Sequence, residues 1–196
     1  MLFRSLHEYL LIIEPSGIVQ KQLRAFKQYF ISSHCYPNAI VSKSHITLMR
    51  FLQYDSYEKH ITRELQRLAT TAAPFDVKLR GFGTFGHTLF VDVKSTAPIL
   101  QLVSQHRHTL RPLVSRVKGH TAHFVTKPHI TIARKLTPRQ NAAIWPIWNR
   151  TEYSGEFRAR NMTLLRRRVG TPTYATVQKF DFLGIPPVFT QGKLFA

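Results

Sequence analysis

Two short stretches carry side chains suited to proton transfer. Residues 44–51 read SHITLMRF and residues 128–135 read PHITIARK. Each holds His-Ile-Thr, an apolar residue, a variable position and Arg: His45, Ile46, Thr47 and Arg50 in one, His129, Ile130, Thr131 and Arg134 in the other. The offset is constant at 84, from 45 to 129 and from 50 to 134. A lone His-x-Thr reads as a strand with a polar edge; the repeat is a signal. Two facing histidines suit acid–base work near neutral pH, one neutral and taking a proton while the other is charged and gives one. Phosphodiester cleavage needs both steps, because a nucleophile must lose a proton and a leaving oxygen must gain one. The hydroxyls of Thr47 and Thr131 can donate to non-bridging oxygens, where charge gathers in the transition state.

The elements that must position these groups are strands. Ile, Thr, Leu and Phe favour extended chain, and strand side chains alternate, so His45 and Thr47 share one face while Ile46 and Leu48 share the other. His129 and Thr131 stand likewise opposite Ile130 and Ile132. By strict alternation Arg50 and Arg134 fall on the isoleucine face. Either a bulge re-aims them or they pair structurally at the sheet rim.

Metal-dependent nucleases need clustered carboxylates. The chain has ten acids, none within the two stretches, so neither a metal nor another cofactor is expected. His106-x-His108 falls in a helical stretch where i and i+2 diverge, and His120 and His123 lack acid or Cys partners. His7, His34, His60 and His87 are expected at the surface, with His87 near enough to a hairpin to line a cleft.

Along the chain, residues 8–14 read as a buried strand and Pro15-Ser16-Gly17 opens a helix with Val19, Leu23, Phe26 and Phe30 on one stripe. A loop over 32–43 leads to the first motif. Asp55 to Glu58 has the form of a capping box before a helix whose inner face is Ile61, Leu65 and Leu68. Residues 75–80 and 88–93 alternate as strands around a Gly-rich link at 81–86. Pro98 opens a helix with Ile99, Leu102, Val103, His106, Leu110 and Leu113 inside, and Pro112 ends or bends it. A basic linker over 114–127 precedes the second motif. Thr137 to Gln140 is a second capping box, and 152–159, 160–168 and 174–182 are strand-like. The order βα-β-α-ββ-α-β-α-βββ implies an α+β fold. One domain over 1–196 would comprise two lobes related by a pseudo-two-fold axis, each with an antiparallel sheet flanked by helices, around a central cleft.

The 28 Lys and Arg against 10 acids give +18 with His neutral. The excess is +5 over residues 1–98 and +13 over 99–196. Such a chain attracts polyanions, nucleic acid first. Arg158, Arg160 and the Arg166-Arg167-Arg168 run suggest a phosphate track, although alternation sends neighbours to opposite faces. Tyr153, Phe157 and Phe85 are candidates to stack a base. No apolar run spans a bilayer and no secretion signal stands out, and the lone Cys35 permits no internal disulfide. A cytoplasmic protein without membrane contact or obligate protein partner is expected.

The paired His-x-Thr strands, each after Ser or Pro and each followed by apolar residues and Arg, resemble the 2H phosphoesterase superfamily. The likeness is to its bacterial 2′-5′ RNA ligase and cyclic phosphodiesterase branch. The hairpin at 75–93 fits that family's central sheet, and the likeness covers nearly the whole chain. It implies a monomer and metal-independent opening of RNA or nucleoside 2′,3′-cyclic phosphates to 2′-phosphates, with reverse 2′-5′ ligation possible. His45, Thr47, His129 and Thr131 would be catalytic, with His129 activating water and His45 protonating the 3′ oxygen, or the reverse. Arg50, Arg134, Phe85 and His87 are the candidate substrate contacts. The alternatives are a non-catalytic RNA-binding module on the same fold, or a hydrolase of 2′-5′ oligonucleotides or ADP-ribose cyclic phosphate.

Overall fold

The alternating segments form strands that join edge to edge in one antiparallel sheet. The computed structural model describes residues 5–34 and 43–186; Cys35 lies outside them. The elements are β1 (Leu6–Ile13), α1 (Gly17–His34), β2 (Ile46–Tyr54), α2 (Glu58–Thr71), β3 (Phe75–Thr84), β4 (Thr88–Val93), α3 (Thr96–Val114), β5 (His123–Phe124), β6 (His129–Arg134), α4 (Pro138–Trp148), β7 (Ser154–Ala159), β8 (Asn161–Arg168) and β9 (Ala175–Asp181). This is the expected α+β order with the short β5 added. Among the described residues the sheet runs β7-β3-β4-β6-β2-β1-β8-β9, with β5 beside β2. The two motif strands are its middle neighbours, paired through Ile46 and Ile130. Along that order, β5 aside, four strands lie to each side of the join. The two sides are not the two halves of the sequence: β7 crosses to β3, whereas β8 and β9 return to β1.

Helices cover one face. α1 packs on β6 and β7, α2 on β9 and α3, and α3 on β2. The helical stripes read from the period are the ones buried: Val19, Leu23 and Phe30 on α1; Ile61, Leu65 and Leu68 on α2; Ile99, Leu102, Val103 and Leu110 on α3. Burying each such aliphatic or aromatic side chain stabilises the fold by about 1.5–3 kcal/mol. Phe26 meets Phe82 and Tyr153 at ring distances of 5.1 and 5.0 Å. Phe157 is also in this core, so neither Tyr153 nor Phe157 is placed to stack a base.

The two capping boxes part company. Thr137 and Gln140 form theirs, with Gln140 N–H donating to Thr137 Oγ1 at 3.3 Å and Thr137 N–H donating to Gln140 Oε1 at 2.7 Å. At Asp55 a single 3₁₀ turn forms with no side-chain cap. Glu58 instead accepts from the Tyr9 hydroxyl at 3.1 Å and from Arg166 at 2.8 Å. The guanidinium brings a full opposite charge to the carboxylate, where a backbone N–H brings only a dipole.

His7 is buried and its Nδ1–H donates to the Ser5 carbonyl at 3.1 Å. His34 is half-buried and its Nε2 accepts from the Trp148 indole at 3.4 Å. Neither is the surface residue expected. His106 is buried in α3, where its Nδ1–H donates to the Leu102 carbonyl and its Nε2 has no partner. Burial pushes its pKa down to about 4. The unfolded chain takes up this proton near pH 6.5, so the stability is whole above that pH and drains away as pH falls toward 4. The loss is about 3 kcal/mol. Thermal melts of His106→Leu should fall less steeply between pH 6.5 and 4 than those of the parent; equal slopes would refute this.

Candidate active site

His45, Thr47, His129 and Thr131 each lie within one residue of the Ile46–Ile130 pair. Both isoleucines are fully buried on the helix-covered face. Alternation therefore turns all four polar side chains to the opposite face, where all are half-buried. In antiparallel register through that pair, His45 comes into line with Thr131 and Thr47 with His129. The two motifs thus converge on one spot of the sheet.

Each ring is held in the same way. His45 Nδ1–H donates to the Lys43 carbonyl at 2.8 Å, and His129 Nδ1–H donates to the Lys127 carbonyl at 2.8 Å. A carbonyl only accepts, so each Nδ1 carries hydrogen and each neutral ring offers its Nε2 lone pair. The sequence repeat reaches back to these residues, since Lys43 and Lys127 stand at the same offset of 84. Burial lowers the pKa of both imidazoles. Around His45, Lys27 and Arg134 push further down while Glu14 pulls up. Around His129, Lys127 and His123 push down while Asp92 pulls up.

The arginines depart from strict alternation. Leu11 pairs with Met49 and Ile12 with Thr47, so Leu48 is an extra residue in β2. Leu89 pairs with Ala133 and Phe90 with Thr131, so Ile132 is the extra residue in β6. These two bulges fall at equivalent positions of the two motifs. Each buries two consecutive residues, Leu48 and Met49 or Ile132 and Ala133. The next side chain is thereby returned to the histidine face. Arg50 and Arg134 are both exposed there. Arg50 Nη1 lies 3.8 Å from Glu8, whereas Arg134 acts electrostatically on His45 and Lys27. Lys27, buried on α1, has its pKa lowered to about 8 by desolvation and then by Arg134. No sequence pattern singled out Lys27, because its neighbours on the helix are ordinary core residues.

One flank of the site is aromatic. Phe85 meets the His129 ring edge-on at 5.0 Å, and Phe90 meets it at 5.1 Å. The two phenyl rings are 4.4 Å apart, and Lys127 Nζ lies 5.3 Å from the centre of each. Phe85 is 41% exposed while Phe90 is buried, so Phe85 presents a face to solvent and Phe90 backs it. Phe90 reads as one more core strand residue, but its register with Thr131 puts it on the histidine face. His87 is exposed at the hairpin turn, where its carbonyl accepts from Leu136 N–H at 3.0 Å.

The arginine run divides as alternation requires. Arg166 turns to Glu58 on the helix side, Arg167 to Glu8 on the histidine side, and Arg168 is exposed. Arg158 is paired with Asp76 at 3.0 Å. Among the described residues no three His, Cys, Asp or Glu side chains gather, and no helix is long and apolar enough to cross a membrane.

A family model described as the 2′-5′ RNA ligase superfamily matches residues 15–171, which takes in both motifs. The comparison with curated proteins finds no match. Among solved structures, TT0787 of Thermus thermophilus is similar with a TM-score of 0.64 at 21% identity, over 90% of this chain and 98% of that one. LigT of E. coli complexed with phosphate gives 0.59 at 15% identity, over 91% and 98%. The same protein complexed with 3′-AMP gives 0.59 at 16%, over 91% and 98%. At these identities the likeness is one of fold.

Proposed function

Since the chain belongs to the 2′-5′ RNA ligase superfamily, the 2H phosphoesterases, we propose that it opens 2′,3′-cyclic phosphates at RNA or nucleoside ends to 2′-phosphates, without a metal ion. The observation that carries this reading is the convergence of two carbonyl-pinned imidazoles and two threonine hydroxyls around one strand pair. His129 Nε2 takes a proton from water as the water oxygen bonds to phosphorus. The bond from phosphorus to O3′ breaks, and the charged His45 gives its Nε2 proton to O3′. Thr47 and Thr131 donate to the non-bridging oxygens. Arg134 adds positive charge on the same face, and Phe85 offers a ring on which the base rests. The phosphate and 3′-AMP in the LigT complexes support a nucleotide ligand.

Protonation follows from the surroundings. Burial disfavours the charged imidazole, so both rings of the free enzyme are neutral at pH 7. The acid becomes charged once a phosphodiester anion is bound, because an opposite charge nearby raises its pKa.

Incubation with a 2′,3′-cyclic mononucleotide and EDTA tests the whole reading. Release of the 2′-phosphate at a rate unaffected by EDTA is expected. The 3′-phosphate as product would reverse the regiochemistry, and salt-sensitive RNA binding without turnover would favour a non-catalytic binding module.

A further inference from the structure

A second cluster lies on the histidine face, spread over β2 and the two strands beyond it, β1 and β8. Glu8 on β1 is in register with Arg167 on β8, and Arg167 Nε donates to Glu8 at 2.7 Å. Arg50, which comes after the first motif's bulge, approaches the same carboxylate at 3.8 Å. The Arg167 guanidinium lies 4.7 Å above the Tyr174 ring, and its Nη1 donates to the Thr171 carbonyl at 3.1 Å. The carboxylate is the covered member: the Glu8 side chain is 14% exposed against 60% for Arg50 and 28% for Arg167. Two cations on one anion leave net positive charge, and the cations are what solvent meets. The covered Glu8–Arg167 pair helps hold β1 to β8, but Arg50, 60% exposed and 3.8 Å away, adds at most about 1 kcal/mol to the fold, so stability is a weak reason for gathering the second guanidinium here. Guanidinium beside an aromatic plate is the combination that binds single-stranded nucleic acid. From Thr47 to Arg50 the strand advances roughly 7–10 Å; Arg167 stands further off, two strands across and level with Leu52, so an RNA strand leaving the motif site meets Arg50 first and Arg167 with Tyr174 after it.

We propose that Arg50, Arg167 and Tyr174 form a second nucleotide subsite. It takes phosphate and base of the residues on the 5′ side of a 2′,3′-cyclic phosphate end, so that the preferred substrate is single-stranded RNA rather than a mononucleotide. Glu8 orients the two guanidiniums from below. This rests on the phosphodiesterase reading.

The test compares kcat/KM on a 2′,3′-cyclic mononucleotide with kcat/KM on an oligoribonucleotide ending in a 2′,3′-cyclic phosphate. The intact protein should favour the oligonucleotide. Tyr174→Ala and Arg167→Ala should each lower kcat/KM on the oligonucleotide about tenfold, through KM, and leave the mononucleotide unchanged. Arg167→Ala should also reduce the salt slope of oligonucleotide binding by about one. Tyr174→Phe, which keeps the ring, should retain the preference. Equal loss on both substrates with a lowered Tm marks a structural role and overturns the subsite alone, as does no loss on either. Failure of the intact protein to turn over either substrate overturns the phosphodiesterase reading and the subsite with it.

Discussion

His129→Ala and His45→Ala should each lower kcat on a 2′,3′-cyclic nucleotide by about 10²–10⁴-fold, the span that a positioned acid or base contributes. Neither should unfold the protein, because both rings are half-buried on the face that the helices leave uncovered. The double variant should be little worse than the poorer single one, since two groups acting in one proton relay are not additive. The pH profile is the second readout. With both imidazoles held below the ordinary histidine value in the free enzyme, the optimum of kcat/KM should lie on the acid side of 6.5. The optimum of kcat should lie at higher pH, because the bound anion raises both pKa values. Each single variant should lose one limb of this bell. A variant that keeps near-full activity, or a bell still intact in either, would remove the two-histidine mechanism. Circular dichroism of the variants separates loss of chemistry from loss of fold.

The positions of those rings were legible because His-x-Thr is a period-2 pattern and the repeat occurs twice. The helix-packed face of the sheet was legible for the same reason, through Ile46 and Ile130. The bulges after Thr47 and Thr131 were not. Leu48-Met49 and Ile132-Ala133 look like continuing strand in a string of letters, and only the pairings with Leu11, Ile12, Leu89 and Phe90 expose the extra residue. Alternation alone leaves Arg50 and Arg134 with two readings, a re-aiming bulge or a pairing at the rim, and it takes the cross-strand pairings to locate the bulges. Sheet order was hidden too, because alternation identifies a strand but not its neighbour. Nothing local tells β8 to return to β1 while β7 goes to β3. The failed cap at Asp55 has the same origin: Glu58 is claimed by Tyr9 and Arg166, which are close in space and remote in sequence. With 14 phenylalanines in the chain, composition cannot separate Phe85 and Phe90 beside His129 from Phe157 in the core.

Phe90 is also the basis of the second large effect, which acts on a residue that touches no substrate. Gly83 pairs with Phe90 across β3 and β4, and the phenyl ring lies over the glycine backbone. A Cβ at position 83 would stand 2.4 and 2.5 Å from two ring carbons of Phe90, well inside van der Waals contact. Alanine is compatible with the backbone there, because Gly83 is not among the residues with positive φ; the clash is the whole effect. The ring must shift, and it packs against both Phe85 and the His129 imidazole. Gly83→Ala should therefore destabilise the fold by about 1–3 kcal/mol, as overpacking does. It should also lower kcat by about 10²-fold, the usual consequence of displacing a catalytic group by an ångström. Shortening the intruding ring should relieve the strain, so Gly83→Ala with Phe90→Leu should regain more of its Tm than the two single losses predict, with a coupling readable from the double-mutant cycle. Activity need not return with stability, because leucine supplies no aromatic edge to His129. A Gly83→Ala protein with the parent Tm and kcat would show that Phe90 moves without dragging the imidazole, and the aromatic flank would then lose its claim to position His129.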